Sequence, residues 1–361
     1  FFQAEDGIRD RSPSRGLGDV YKRQIAVSSN PPLKWDESSN IIWKSSIPGR
    51  GHSSPAVVGK RIFLTTADEK KKEQFALCYS RENGKLLWNR KLYEGGWDSP
   101  SMAGRSWANS SPACDGERVY LVFSHKGKLI VSALDLEGKE VWKKTVGDFV
   151  SHHGYSASPV IYGSTLVISA DHKKGGYLAA LDRKTGDLRW KTMRPPEPSY
   201  VAPAILTVAG RKQLVISGCN LFASYDPGTG KELWASKTTT TECVGTVVAS
   251  GDLVFASGGY PKNLTVCVNA RNPEKVVWKK PIRTYVPCML TFEGHLYTVT
   301  DRGIGSCWEV CASSRARDSQ QEFCPKPNLS SLLLRMLQRK QYFVKFTINI
   351  KYYEFYDASF S

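Results

Sequence analysis

The residues of this 361-residue chain best suited to chemistry are His52, Asn109, His152, His153, Asp171, His172, Glu242 and Tyr285. Imidazoles, carboxylates and amides can hold a metal, contact an anion or orient a polar ligand. The pairs His152-His153 and Asp171-His172 are the best candidates for a metal or anion contact, while Glu242, Asn109 and Asp301 are of the right type to give oxygen ligands to calcium. No spacing among them is a recognised metal-ligand signature. The nine cysteines include no adjacent pair and no CxxC, so neither a zinc site nor a disulfide framework is indicated. No G-x-S-x-G elbow is present to support nucleophilic hydrolysis. These residues point to binding: a polar surface for a small molecule, a metal or a peptide.

What positions them is a repeat. Segments ending in tryptophan recur at Trp88 (FALCYSRENGKLLW), Trp142 (VSALDLEGKEVW), Trp190 (LAALDRKTGDLRW), Trp234 (FASYDPGTGKELW) and Trp278 (VCVNARNPEKVVW), with an isolated NIIW at Trp43. The intervals are 45, 54, 48, 44 and 44 residues, the size of one propeller blade. Ahead of each segment lie two β-rich runs around a glycine, at Gly59, Gly116, Gly163, Gly210, Gly251 and Gly294, the pattern of a tight hairpin. A second hairpin follows, so each unit holds four antiparallel strands. Six such units without helical patterning predict an all-β chain, a β-propeller of four-stranded blades. Trp88, Trp142, Trp190, Trp234 and Trp278 are expected to pack between neighbouring blades.

In a propeller, the loops entering the innermost strands and the loops joining the two middle strands open on one face. The repeat puts His52, Asn109, His152, His153, Glu242 and Tyr285 on the first set and Asp171 and His172 on the second. A polar funnel follows as the expected binding face. Five of the six histidines fall there, and His295 falls on the opposite face.

The repeat resembles the PQQ-like, or quinoprotein-type, propeller family, whose docking motif reads Ala-x-Asp-x-x-Thr-Gly-Lys-x-x-Trp. ALDRKTGDLRW and SYDPGTGKELW match almost throughout, with Asp182 and Asp226 at the aspartate, and VSALDLEGKEVW keeps Asp135 in a shorter turn. Ser80 and Ala270 are read as replacing the aspartate in their repeats. The resemblance implies seven or eight blades in the family, of which about six are present here. It also implies an exported, periplasmic or envelope-associated protein. Two functions are compatible with it. The preferred one is a non-catalytic scaffold, monomeric and without a cofactor, whose loop face binds an envelope protein or small polar ligand. The alternative is a PQQ- and calcium-dependent quinoprotein dehydrogenase; the vicinal cysteine pair of those enzymes has no counterpart here.

The ends read differently from the body. Residues 1–24 match the translation of library-preparation oligonucleotides and are expected to be adapter-derived. The propeller is assigned to 25–310. Residues 311–361 lose the repeat and are expected to be a frameshifted or chimeric tail. The net charge is +16, but the basic residues follow the tryptophans in WNRK, WKKT, WKTM and WKKP and so lie along outer strands, where lysine blocks edge pairing. Nucleic-acid binding would need a basic stripe interleaved with exposed aromatics, and no apolar run is long enough for a transmembrane segment.

Overall fold

The computed structural model describes residues 39, 41–97, 106–151, 153–301 and 304–310. His152, residues 1–24 and the tail from 311 lie outside the described residues. Blade 1 comprises β1 (Ala56–Val58), β2 (Arg61–Asp68), β3 (Glu73–Ser80) and β4 (Leu86–Glu94). Blade 2 comprises β5 (Ala113–Cys114), β6 (Arg118–His125), β7 (Lys128–Asp135) and β8 (Glu140–Asp148). Blade 3 follows with β9 (Val160–Tyr162), β10 (Thr165–Ala170), β11 (Tyr177–Asp182) and β12 (Leu188–Met193). Blade 4 has β13 (Ala204–Val208), β14 (Arg211–Gly218), β15 (Leu221–Tyr225) and β16 (Glu232–Ser236). Blade 5 has β17 (Val248–Ser250), β18 (Leu253–Gly258), β19 (Leu264–Asn269) and β20 (Asn272–Lys280). Blade 6 has β21 (Leu290–Phe292), β22 (His295–Val299) and β23 (Gly305–Glu309).

Every sheet is an antiparallel meander in chain order, and among the described residues the first five have four strands and the sixth three. Innermost strands lie beside innermost strands, β1 by β5, β9 by β13, β13 by β17 and β17 by β21. The sheets therefore stand around a common axis as propeller blades. Burial follows from this stacking. Middle strands are covered on both faces by neighbouring blades, so β10 and β11 are buried along their whole length and read as nearly continuous apolar runs. The outer strand β12 is mostly exposed. The apolar clusters straddle blade boundaries: one joins Tyr120, Val131 and Trp142 of blade 2 to Leu166, Ile168 and Tyr177 of blade 3.

The recurring motif is a docking device between blades. Asp182 Oδ1 accepts the main-chain N–H groups of Lys184 (2.8 Å) and Thr185 (3.1 Å), and Asp226 does the same for Gly228 and Thr229. Asp135 holds Glu137 and Lys139 in the shorter turn. Each turn then presents a glycine with positive φ, +82° at Gly138, +75° at Gly186 and +72° at Gly230, a conformation that penalises other residues. Against that bare glycine lies the tryptophan of the preceding blade. A Cβ at Gly138 would sit 2.9 Å from Trp88 Cδ2, and one at Gly186 would sit 2.6 Å from Trp142 Cε3. Trp190 covers Gly230 and Trp43 covers Gly84 in the same way. The indole N–H groups of Trp43, Trp88 and Trp142 donate to carbonyls of the turns they cover, those of Arg81, Leu136 and Arg183.

Blade 5 departs from the pattern, and its register corrects one sequence assignment. Trp142, Trp190 and Trp234 pair with Ala133, Ala180 and Ser224, two residues before Asp135, Asp182 and Asp226. Trp278 pairs with Cys267, so Asn269, not Ala270, occupies the aspartate position. Its Oδ1 accepts the Arg271 N–H at 2.9 Å. Two register shifts in the β19–β20 pairing hide this in a linear alignment. No glycine follows in that turn, and Trp234 instead donates to Gln213 Oε1 of its own blade at 2.9 Å.

Candidate functional site

The loops entering the inner strands are tied to one another around the axis. Ser54 N–H donates to Ser111 Oγ (2.8 Å) and Ser111 N–H to Ser158 Oγ (3.1 Å). Ser156 Oγ donates to the Tyr200 carbonyl at 3.4 Å. Tyr200 N–H donates to Cys243 O (3.0 Å), and Gly245 N–H to Tyr285 O (3.2 Å). Five consecutive hydrogen bonds thus link blades 1 to 6. The serines of the HSSP, NSSP and SASP segments, which look like loop filler in the sequence, supply the first three.

This belt fixes the side chains above it. His52, Asn109, Ser156 and Tyr200 each stand four residues before the first strand of their blade. His52 is exposed. Its imidazole pKa is lowered by desolvation among its neighbours and by the Arg50 charge, against an opposing hydrogen bond to the Asn109 side chain. Asn109 Nδ2 donates to Ser106 O at 2.8 Å. The exposed His153 ring meets Tyr200 edge to face, with centroids 5.4 Å apart. Tyr285 Oη donates to Glu242 Oε2 at 2.8 Å. Burial and that carboxylate, with Tyr200 adding to them, push the Tyr285 phenol well above its ordinary range. Arg283 stacks its guanidinium 4.9 Å from the Tyr285 ring centre and pairs with Asp301 at 2.6 Å. Tyr260 and Val286, each about three-fifths exposed, flank the Glu242–Tyr285 pair.

Two predicted site residues lie elsewhere. Asp171 is buried and makes a two-pronged ion pair with the buried Arg194, at 2.7 Å to Nε and 3.2 Å to Nη2. Burial disfavours the Arg194 charge, but the Asp171 carboxylate outweighs it and raises the guanidinium pKa. Arg194 also donates to Tyr225 Oη of blade 4 at 3.3 Å, so this buried group clamps two blades. His172 is also buried, against Phe149 and Tyr177, and lines a groove between blades 2 and 3.

A family model described as outer membrane protein assembly factor BamB matches residues 22–149 and, overlapping, 72–319. The chain belongs to this family of PQQ-like β-propellers. Among solved structures it is similar to BamB from Moraxella catarrhalis, at 14% identity with a TM-score of 0.54, covering 74% of this chain and 75% of that one. It is also similar to a europium-containing methanol dehydrogenase, at 12% identity and a TM-score of 0.49, over 73% and 77% of the two chains. Identities this low show the fold alone. No curated protein matches the chain.

The oxygen donors named from sequence as calcium ligands do not fit a calcium centre. Glu242 is engaged by Tyr285, and Asp301 by Arg283 and by the Val286 N–H. Two of the three oxygen donors named from sequence are thus held by neighbouring groups. Among the described residues no group of three or more His, Cys, Asp or Glu could hold a metal ion. Four buried thiols are also unsuited to chemistry: burial pushes Cys78 and Cys114 up to about 11 and Cys243 and Cys267 up to about 12. Tyr200 is the residue sequence reasoning missed. The signal was present, since SYVAP and TYVPC put Tyr200 and Tyr285 at matching places in their repeats.

Proposed function

We propose that this propeller is a non-catalytic binding module of the cell envelope, with its site on the axial loop face formed by His52, Asn109, His153, Tyr200, Glu242 and Tyr285. The observation that carries the reading is the patch around Glu242. Tyr260, bridged to Glu242, and Val286, next to Tyr285 in the chain, expose apolar surface near a hydrogen-bonded Glu242–Tyr285 pair, and Arg283 stacks on the tyrosine. Tyrosine and arginine at the centre of an exposed, pre-ordered patch are the composition of a protein-binding surface. The axial belt supports the same conclusion, because loops held by hydrogen bonds lose little freedom when a partner docks. A protein partner rather than a small polar ligand is favoured by the apolar flanks. A periplasmic or envelope-associated location accords with a family described by an outer-membrane assembly factor. Among the described residues no helix is long and apolar enough to cross a membrane.

The test is capture of envelope proteins on the immobilised full chain, compared with a Tyr260→Ala/Val286→Asp variant whose folding is checked by circular dichroism. A specific partner that binds the parent chain and loses about tenfold or more in affinity for the variant supports the reading. Equal binding to both moves the interface off this patch. Calcium-dependent uptake of PQQ with dye-linked alcohol oxidation would overturn the non-catalytic reading altogether.

A further inference from the structure

A second site lies on the same face but toward the rim, where blade 2 meets blade 3. The β6–β7 turn (Lys126, Gly127, Lys128), the end of β8 (Asp148), the β10–β11 loop (His172, Lys174, Gly175) and the outer strand of blade 3 (Lys191, Met193) enclose a groove of about 530 Å³. That is within the usual range for small-molecule sites, about 300–1,000 Å³. The hydrogen bond from Phe149 N–H to Gly127 O (2.9 Å) holds the interblade connection against the turn.

The groove is cationic, and its floor carries unused hydrogen-bonding groups. Lys128 pairs with Asp148. Among the described residues, Lys126, Lys174 and Lys191 have no carboxylate within ion-pair distance. Lys191 Nζ instead lies 3.8 Å from the centre of the Tyr177 ring and 3.3 Å from Val146 O. Tyr177 is 1% exposed and its Oη has no hydrogen-bond partner. His172 is 2% exposed, and its Nε2 has no partner in good hydrogen-bond geometry, the Asp148 backbone being the neighbour that acts on the ring. Because His172 Nδ1 accepts the Lys174 N–H at 3.4 Å, the neutral ring carries its proton on Nε2 and that atom is a donor. Buried donors are ordinarily satisfied. The floor is also kept bare of side chain: a Cβ at Gly147 would lie 2.8 Å from Lys191 Nζ and 2.9 Å from Tyr177 Oη.

Two buried donors without a partner in good hydrogen-bond geometry, beside three ammonium groups without an ion-pair partner, define the ligand by charge and by hydrogen-bond sense. We propose that this groove binds a phosphate-type oxyanion carried on a small molecule or headgroup, with Tyr177 Oη and His172 Nε2 donating to its oxygens and Lys126, Lys174 and Lys191 supplying the charge. Ammonium groups act on phosphate as mobile point charges and need no fixed fork geometry. The site is independent of the axial patch, so the failure of either proposal leaves the other standing.

The experiment is calorimetric titration of the full chain with pyrophosphate at low ionic strength, beside Tyr177→Phe, Lys126→Gln/Lys174→Gln and Gly147→Ala variants. The two exposed lysines can be changed without touching the core, and Tyr177→Phe removes only the hydroxyl. Saturable one-to-one binding is expected, weakened about tenfold or more by Tyr177→Phe, the loss of one hydrogen bond to a charged group. The double lysine variant is expected to weaken it further. Sedimentation with phosphatidylglycerol vesicles distinguishes the sources: vesicle binding that needs the same residues assigns a lipid headgroup, and its absence beside pyrophosphate binding assigns a soluble phosphate ester. No saturable binding to either probe, or binding that survives all three variants unchanged, overturns the proposal.

Discussion

Asp171 and Glu242 are both loop carboxylates of the same face, and the fold uses them in different ways. Asp171 is sealed between blades 3 and 4 with Arg194 as its bidentate partner. Glu242 is half-buried at the axis, held by one phenol from the next blade and flanked by exposed Tyr260 and Val286. The first residue organises packing and the second stays partly open to solvent. The difference lies in the partners. A carboxylate facing a guanidinium that is itself fully buried must stay paired, because each charge alone would be left without water. Residue type nominated both equally; only the neighbours separate them.

The largest effect should come from breaking the sealed pair. Asp171→Asn leaves Arg194 charged and buried with a weaker acceptor, and a loss of about 3–5 kcal/mol in unfolding free energy is expected. Glu242→Gln, by contrast, should stay within about 1 kcal/mol, since the Tyr285 hydroxyl can still donate to the amide oxygen. Urea denaturation of both variants measures the contrast. Similar losses for the two would mean that the axial carboxylate is as structural as the buried one.

The docking turns come next. Gly230→Ala meets the Trp190 ring and requires an L side chain at φ +72°, which together are expected to cost about 3 kcal/mol. Gly228→Ala, two residues away in the same turn, meets only Asp226 Oδ1 at 3.4 Å and needs no positive φ. It should change stability by less than about 0.5 kcal/mol. A thermal-melt comparison of the two separates the docking role from a general intolerance of the turn.

Much of the fold was legible because the repeat carries out local tasks with fixed residue types. The aspartate closes the turn, the glycine admits positive φ, and the tryptophan covers that glycine from the previous blade. The register in blade 5 was not legible, since irregular pairing moved the aspartate position from Ala270 to Asn269 without a sign in the linear sequence. For the candidate site, the repeat located the loops that enter the blades but not the partners of their side chains. Arg194 reaches Asp171 across 23 positions and Tyr225 in another blade, contacts no spacing rule anticipates. Tyr200 was overlooked because histidines and acids attract attention first, whereas a tyrosine in a repeat-rich chain reads as core.

A third prediction sharpens the contrast through pH. Desolvation lowers the His172 pKa, with Lys191 acting in the same direction and Asp171, Asp148 and the Asp148 backbone opposing it. The unfolded chain therefore takes up a proton near the ordinary imidazole value of about 6.5 while the folded chain does not. Stability from this group is complete above that pH and is lost as pH falls through and below it toward the lowered folded value. His172→Gln should flatten that part of the stability–pH curve. An unchanged slope in His172→Gln would mean that the imidazole reaches water and titrates freely.

Tyr285→Phe is expected to have a modest effect on stability. It removes one half-buried hydrogen bond and leaves the ring, and with it the Arg283 stacking, in place, so the loss should be about 0.5–1.5 kcal/mol. Its effect on recognition should be larger, because Glu242 then loses its donor and the centre of the patch loses its order. A variant that melts close to the parent yet loses partner affinity places Tyr285 among the recognition residues. A variant that loses stability and keeps affinity places it with Asp171 in the interblade packing.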